Sequence, residues 1–155
     1  MTDTRLVEGG CQCGSVRYRI TGPISNRQIC HCRMCQKAFG NYFAPLASVD
    51  VKSMTWLSER PAIYRSSQAA ERGFCGRCGT PLTFQYVTEP HEISIALGSL
   101  DDPAGFAPEM QYGTESRMPW FDRLAGLPGQ TTEDSTPAEL LREIARPAPK
   151  ATPSR

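Results

Sequence analysis

The 155-residue sequence predicts a mostly β fold, and three observations support this class. Short stretches in which apolar and polar residues alternate recur along the chain, which is typical of half-buried strands. Glycine and proline, 13 of each, separate these stretches and indicate turns between short strands. Only one segment, near the C-terminus, has a clear helix signature. The length suits one domain with a modest hydrophobic core.

The first half of the chain predicts three strands and one short helix. Val16, Tyr18 and Ile20 alternate with arginines in SVRYRI, which predicts a strand with one buried face, and TGPISN then predicts a turn. After QICHC, the segment MCQKAFG predicts one helical turn that ends at Gly40. The segments NYFAPLASVDV and AIYRSS predict two more strands, separated by the polar stretch SERP.

The second half predicts two strands, a turn and a helix. Alternation in PLTFQYV and in HEISIALGSL predicts strands with one apolar face, before a turn at Asp101-Asp102-Pro103. Thr136-Pro137-Ala138-Glu139 forms a capping box with proline at the first helical position, which predicts a short helix over 136–145. The proline-rich residues 146–155 predict a flexible tail.

Charge and hydropathy exclude several classes of partner. The formal net charge is +1, from 17 basic and 16 acidic side chains, so electrostatics give no reason to expect nucleic acid or an anionic membrane as partner. No apolar run approaches the roughly 18 residues of a membrane span, and MTDTRLVEGG lacks the apolar core of a signal peptide. We therefore expect a cytoplasmic protein with reduced thiols. Sheet edges could pair in a homodimer.

Two pairs of cysteines together predict a closed metal site. Cys11 and Cys13 are two residues apart, so their side chains project to the same side of an extended strand. Their sulfurs can then approach the roughly 3.8 Å that separates two sulfurs on a tetrahedral zinc. Cys75 and Cys78 form a C-x-x-C knuckle, in which Gly79 allows a tight turn. These four thiolates together predict a structural zinc that stabilises a small β domain.

The remaining cysteines, Cys30, Cys32 and Cys35, predict a second site that is open. C-x-C-x-x-C can place three sulfurs on one metal, and three protein ligands with a vacant position are typical of catalytic zinc. Three thiolates give the zinc a net charge of about −1, so it suits a substrate thiolate better than it activates water. We expect two zinc ions per chain, one structural and one labile.

Other uses of these residues stay open on sequence alone. The cysteines could form disulfides with one left over, although MTDTRLVEGG does not have the pattern of a signal peptide. Cys75 and Cys78 could be a redox pair, although their flanks do not form a βαβ pattern. An iron–sulfur cluster at the second site would lack a nearby fourth thiol. His31, or a remote Asp, Glu or His, could complete that site. Alternatively, His31 could orient or contact the substrate, or simply be a partly buried ring that makes a backbone hydrogen bond.

The motifs GGCQCGSVRY, CHCRMCQKAFG and RGFCGRCGTPL, followed by SIALGSLDDP, resemble the family of glutathione-dependent formaldehyde-activating enzyme and centromere protein V. The resemblance implies a β-tent fold, in which short antiparallel sheets are joined at a structural zinc site. It covers about 8–125, after a lead-in at 1–7 and before a C-terminal extension at 126–145. It also implies the same division into four and three zinc-binding cysteines.

The function that the resemblance implies is that of a carbon–sulfur lyase, which joins glutathione and formaldehyde in S-hydroxymethylglutathione. Cys30, Cys32 and Cys35 would be catalytic, and His31 would transfer a proton. Basic residues close to them could pair with substrate carboxylates, and aromatic residues could line the cleft. These residues are Arg33 and Lys37, with Arg72 ambiguous, and Phe39, Phe43 and Trp120.

One departure from the family pattern concerns the element P-x-x-H, which follows the Gly-Ser-Leu-Asp turn in many members. Pro108-Glu109-Met110 is followed here by Gln111, so this chain lacks that histidine or uses another group. The alternative function is a non-catalytic, zinc-stapled binding module for a protein or a small-molecule thiol. In that case the second zinc would be structural, transiently bound or regulatory.

Overall fold

The structure, a computed structural model, describes residues 6–144. The predicted flexible tail and most of the predicted lead-in lie outside the described residues. The chain divides into two compact units between Arg117 and Met118. The predicted domain boundary at residue 125 stays a prediction. No helix within residues 6–144 is both long and apolar enough to cross a membrane.

The first unit contains two sheets. The smaller sheet has the strand order β1-β2-β5, and the larger has the order β10-β3-β4-β9-β8-β7-β6. Among the described strands, β10 pairs parallel with β3, and the other neighbours pair antiparallel. The strands are β1 Val7–Gly10, β2 Arg17–Ile20, β3 Ser25–Cys30, β4 Ala44–Asp50, β5 Met54–Trp56, β6 Ala62–Arg65, β7 Ala70–Phe74, β8 Pro81–Tyr86, β9 Glu92–Ala96 and β10 Met110–Tyr112.

The main hydrophobic core takes side chains from both sheets. Tyr18 and Ile20 of β2 are fully buried in one cluster with Leu82 of β8 and Ile95 of β9. The Tyr18 hydroxyl lies 2.6 Å from Oγ of Ser99, so this buried polar group has a partner. The burial of alternate residues in β2 is what its sequence predicts, since successive side chains of a strand point to opposite faces.

Several predicted elements differ from the structure. The segment TGPISN is not wholly a turn, because Ser25 and Asn26 already belong to β3. Asn26 has a φ of 45°, and the register between β3 and β4 shifts here, so the strand begins with an irregularity that breaks its local pattern. The predicted alternation in β8 is also incomplete, because Thr83 is buried beside Leu82 and Tyr86 is exposed.

The helices are short. Helix α1 spans Arg33–Phe39 and ends at Gly40, as predicted, but begins earlier than the sequence suggests. In the second unit, a 3-10 helix spans Phe121–Gly126, followed by α2 at Thr132–Ser135 and α3 at Ala138–Ile144. The predicted fold class, mostly β with a short C-terminal helix, is therefore confirmed, with a mixed larger sheet.

Candidate metal centres

The four-cysteine cluster forms where the two sheets meet. Cys11 and Cys13 follow β1, whereas Cys75 and Cys78 lie between β7 and β8. Their four sulfurs lie within 4.8 Å of one another, and the sulfur of Cys13 lies 3.5 Å from that of Cys11 and 3.8 Å from that of Cys75. These separations fit the roughly 3.8 Å expected on a tetrahedral zinc, so the cluster could hold a metal ion.

Backbone N–H groups point at the buried sulfurs of this cluster. The N–H of Val16 donates to Cys11 Sγ at 3.3 Å, and those of Arg77 and Cys78 donate to Cys75 Sγ at 3.4 Å. Such donors stabilise negative charge on sulfur. They replace part of the hydration that a thiolate loses on burial.

The exposed side of the cluster is also polar. Oγ1 of Thr80 lies 3.1 Å from the sulfur of Cys78. Burial acts to raise the pKa of the Cys78 thiol, but hydrogen bonds with Thr80, Cys13 and Cys75 together outweigh it and lower this pKa to about 6. Gly79, which follows, has a φ of 79°, a conformation that L side chains rarely adopt. The thiol is thus prepared to lose its proton, as metal binding requires.

The three-cysteine cluster forms at the junction of β3 and α1. Cys30 is the last residue of β3, Cys32 is the N-cap of α1, and Cys35 lies in its first turn. Their sulfurs lie within 4.8 Å of one another, so this cluster too could hold a metal ion. The N–H of Cys35 donates to Cys32 Sγ at 3.4 Å, which fixes the spacing of these two residues. All seven cysteines are free thiols.

A cavity of about 480 Å³ opens beside the three-cysteine cluster, and all three cysteines line it. Cys35 is the most buried of them, and burial raises the pKa of its thiol to about 12. Nη2 of Arg72, 3.6 Å from Cys35 Sγ, acts against this by favouring the thiolate. A metal ion bound here would take the place of the thiol proton.

His31 lies away from this cavity. Its side chain is fully buried, its Nε2 lies 3.0 Å from Oε1 of Gln111, and its ring packs edge-on against Phe43 at 6.0 Å. Neither His31 nor Gln111 is among the residues that line the cavity of the three-cysteine cluster. A direct proton-transfer role for His31 stays a prediction, which this placement does not favour.

A second cavity, of about 710 Å³, adjoins α1 and contains other residues that the sequence singles out. Arg33, Lys37 and Phe39 line it, together with Arg72. Arg72 and Met34 line both cavities. Trp120 lies in the second unit. Of the predicted basic residues, Arg72 thus contacts the three-cysteine cluster, and Arg33 and Lys37 line the neighbouring cavity.

Sequence reasoning missed the contribution of β10 to this region. Tyr112 lines the smaller cavity, and its carbonyl accepts a hydrogen bond from the His31 N–H at 2.8 Å. Gly113 packs against the backbone of Cys32. The local signal is weak because β10 has three exposed residues and no alternation of buried and exposed positions.

Known proteins share these features. The family described as "Glutathione-dependent formaldehyde-activating enzyme" matches residues 6–116. A Halomonas elongata protein, named "Putative glutathione-dependent formaldehyde-activating enzyme", is 36% identical over 128 residues, which cover 76% of this chain and 80% of that protein. An uncharacterised lyase of Schizosaccharomyces pombe is 32% identical over 92 residues, covering 58% and 66% of the two chains.

A solved structure supports the fold. The crystal structure of a Rhodobacter sphaeroides protein superposes with a TM-score of 0.54 at 20% sequence identity, covering 67% of this chain and 98% of that chain. This likeness concerns the fold alone. The sequence match spans both cysteine clusters and most of the first unit. The resemblance that the cysteine motifs predict is thereby confirmed, and the chain belongs to the family of glutathione-dependent formaldehyde-activating enzymes.

Proposed function

We propose that the protein is a zinc-dependent carbon–sulfur lyase that interconverts S-hydroxymethylglutathione with glutathione and formaldehyde. The family and the names of two relatives support a lyase of this class. In the joining direction, the thiolate sulfur forms a bond to the carbonyl carbon, and the carbonyl oxygen takes up a proton as its π bond breaks. The reverse direction breaks the carbon–sulfur bond and releases both molecules.

The observation that carries this proposal is the opening of the three-cysteine cluster into a cavity. Cys30, Cys32 and Cys35 all line its wall, and its volume of about 480 Å³ lies in the range of small-ligand sites. The four-cysteine cluster, by contrast, already brings four sulfurs together. Of the two clusters, therefore, only the three-cysteine cluster could bind a metal ion and still accept a ligand sulfur as the fourth donor.

The donor set in both clusters suits zinc. Each group consists of cysteine sulfurs alone, a set of soft ligands typical of zinc sites. We infer one structural ion and one exchangeable ion, the latter supplying a coordination position for a substrate thiolate. The chain itself positions the sulfurs of this open cluster. The Cys35 N–H donates to Cys32 Sγ, and Nη2 of Arg72 contacts Cys35 Sγ.

His31 enters this proposal as a positioning residue. Its ring contacts the Gln111 side chain and its N–H donates to the Tyr112 carbonyl, so the segment from Cys30 to Cys32 is attached to β10. The proton of the adduct hydroxyl then exchanges with solvent. Both clusters need reduced cysteines to bind metal, and the proposed substrate is a reduced thiol, so we place the protein in the cytoplasm, a reducing compartment, as part of the same proposal.

The test is the rate at which S-hydroxymethylglutathione equilibrates with its components, followed by NMR exchange spectroscopy. The parent protein is expected to accelerate exchange above the rate in buffer. Cys32→Ser removes one ligand from the open cluster and should return the rate to that of buffer. Circular dichroism and retention of the metal in the four-cysteine cluster show that the variant is folded.

The experiment has a clear adverse outcome. If Cys32→Ser accelerates exchange as fast as the parent, the three-cysteine cluster is not the catalytic centre. If the folded, fully metal-loaded parent gives no acceleration, the protein is not a lyase for this adduct, and the binding-module alternative takes its place.

A further inference from the structure

The larger cavity, which adjoins α1, is cationic. Arg33 and Lys37 lie four residues apart on α1 and so share one face of the helix, and Arg72 of β7 completes the set. Among the described residues that line this cavity, none is acidic. Its remaining lining is largely apolar and aromatic. Arg33 and Lys37 are exposed, so low polarity strengthens the attraction to an anion chiefly at the buried Arg72.

Arg72 is the buried member of this set. Arg72 is only 8% exposed. Its Cζ lies 4.9 Å from the centroid of the Phe84 ring, a favourable cation–π arrangement. Nη2 faces the sulfur of Cys35 at 3.6 Å. Nη1 is buried and has no hydrogen-bond partner among the described residues. A buried charged donor without a partner is unfavourable, so an acceptor that reached this N–H group would be bound favourably.

The chemistry of the site favours a carboxylate as this acceptor. The planar guanidinium presents paired N–H donors that match a carboxylate, and the bonds are charge-assisted. The smaller cavity, which Arg72 also lines, contains Glu89 and Glu92 and would repel an anion at that end. The carboxylate of a bound ligand is therefore expected at Arg72, on the side of Arg33 and Lys37.

The distance between Arg72 and the cysteines matches one carboxylate of glutathione. With Nη2 3.6 Å from Cys35 Sγ, an oxygen that accepts from Nη1 lies within roughly 9 Å of this sulfur. Two extended residues span about 7 Å. The cysteinyl-glycine end of glutathione can therefore place its sulfur near the three cysteines and its glycyl carboxylate at Arg72.

We propose that Arg72 binds the glycyl carboxylate of the thiol substrate and so selects thiols that carry a carboxylate about two residues from the sulfur. This inference rests on the proposed function, because that function supplies the thiol. It goes further in naming the residue that discriminates one thiol from another. Arg33 and Lys37 add long-range attraction, whereas Arg72 makes the discriminating contact.

The test compares the binding of S-methylglutathione with that of its glycyl ethyl ester, by calorimetry on the metal-loaded protein. Blocking the sulfur prevents adduct formation, so binding is measured apart from catalysis. The free acid should bind about 10- to 100-fold more tightly than the ester, as one buried charge-assisted contact implies. Arg72→Met should weaken binding of the acid by a similar factor and abolish the preference for the acid over the ester.

Matched variants keep the result interpretable. Arg65→Met removes an exposed arginine of the neighbouring strand β6, which pairs with Glu71, and should leave the preference unchanged. Because Arg72 also contacts Cys35, Arg72→Lys provides a second measurement that retains the charge but not the paired donors. Its preference for the acid should fall below that of the parent and remain above that of Arg72→Met.

Two outcomes would overturn the inference: equal binding of acid and ester by the parent, or a preference that survives in Arg72→Met. These outcomes differ from failure of the lyase proposal. Binding that depends on Arg72, without any acceleration of adduct exchange, would remove the lyase activity and leave the carboxylate site. Acceleration of adduct exchange without a preference for the free acid over the ester would support the lyase activity and exclude the carboxylate site.

Discussion

Nε2 of His31 lies 3.0 Å from Oε1 of Gln111, and this contact joins the three-cysteine cluster to a strand 80 residues further along the chain. His31 sits between two of the cluster's cysteines, and its N–H donates to the carbonyl of Tyr112 at 2.8 Å. Strand β10 therefore holds the loop through both backbone and side chain. Gln111 serves here as the partner of a buried ring.

The first prediction concerns this contact. Gln111→Leu removes the acceptor beside the buried His31 ring, and the loss of a partner for a buried polar group should reduce the free energy of unfolding by about 1–2 kcal/mol. Urea unfolding of the metal-loaded proteins measures the change. Gln68→Leu replaces an exposed glutamine and should leave stability within about 0.5 kcal/mol of the parent. Equal effects of the two variants would contradict a structural role for Gln111.

The second prediction concerns Gly113, which packs against the loop of the three-cysteine cluster. A Cβ atom at this position would lie 2.7 Å from the nitrogen and 3.0 Å from the Cβ of Cys32. Gly113→Ala should therefore displace Cys32 and lower the metal occupancy of this cluster, while the four-cysteine cluster stays loaded. Metal analysis per chain, with circular dichroism, measures the effect.

Gly40 provides a matched control for backbone strain alone. Its φ of 55° resembles the 62° of Gly113, but nothing lies within 4 Å of the position of its Cβ. Gly40→Ala should cost about 1 kcal/mol in stability, since L residues are strained at positive φ, and should not change metal occupancy. Full occupancy in Gly113→Ala would show that the close approach to Cys32 is not required.

Local sequence pattern predicts those parts of the fold that depend on local contacts. The alternation in β2 and the spacings within Cys11/Cys13, Cys75/Cys78 and Cys30/Cys32/Cys35 are properties of a few neighbouring residues, and the structure reproduces both. The pairing of β10 with β3 and the contact between Arg72 and Cys35 join residues 37 or more apart. No local periodicity encodes such contacts, so the cavities and the role of Gln111 emerge only from the assembled sheets.

The third prediction concerns removal of metal in two steps. The four-cysteine cluster supplies four sulfurs and connects the two sheets, whereas the three-cysteine cluster supplies three and opens into a cavity. Mild chelation should remove the ion of the open cluster with little change in Tm. Stronger chelation should remove the other ion and lower Tm substantially, because the link between the sheets is lost.

Metal analysis and thermal melting after each step check this order. Cys32→Ser should abolish the first step and leave the second, and Cys78→Ser should show the low Tm without any chelator. Release of both ions in a single step, or two ions equally resistant to chelation, would contradict the distinction between an open and a closed cluster.

The last prediction concerns alkaline pH. Burial raises the pKa of Tyr18 to about 12, from about 10 in an unfolded chain, although its hydrogen bond with Ser99 acts in the opposite direction. The folded state holds this proton more tightly, so its contribution to the free energy of unfolding is complete below about pH 10. This contribution, about 2–3 kcal/mol in total, is lost as the pH rises towards 12.

Tyr18→Phe should lack this part of the pH dependence, and Ser99 still donates to the Ala96 carbonyl in that variant. Urea unfolding of both metal-loaded proteins between pH 9 and about pH 12 isolates the contribution of Tyr18, because the cysteines titrate in both. Parallel stability curves for the two proteins would show that Tyr18 does not control alkaline unfolding.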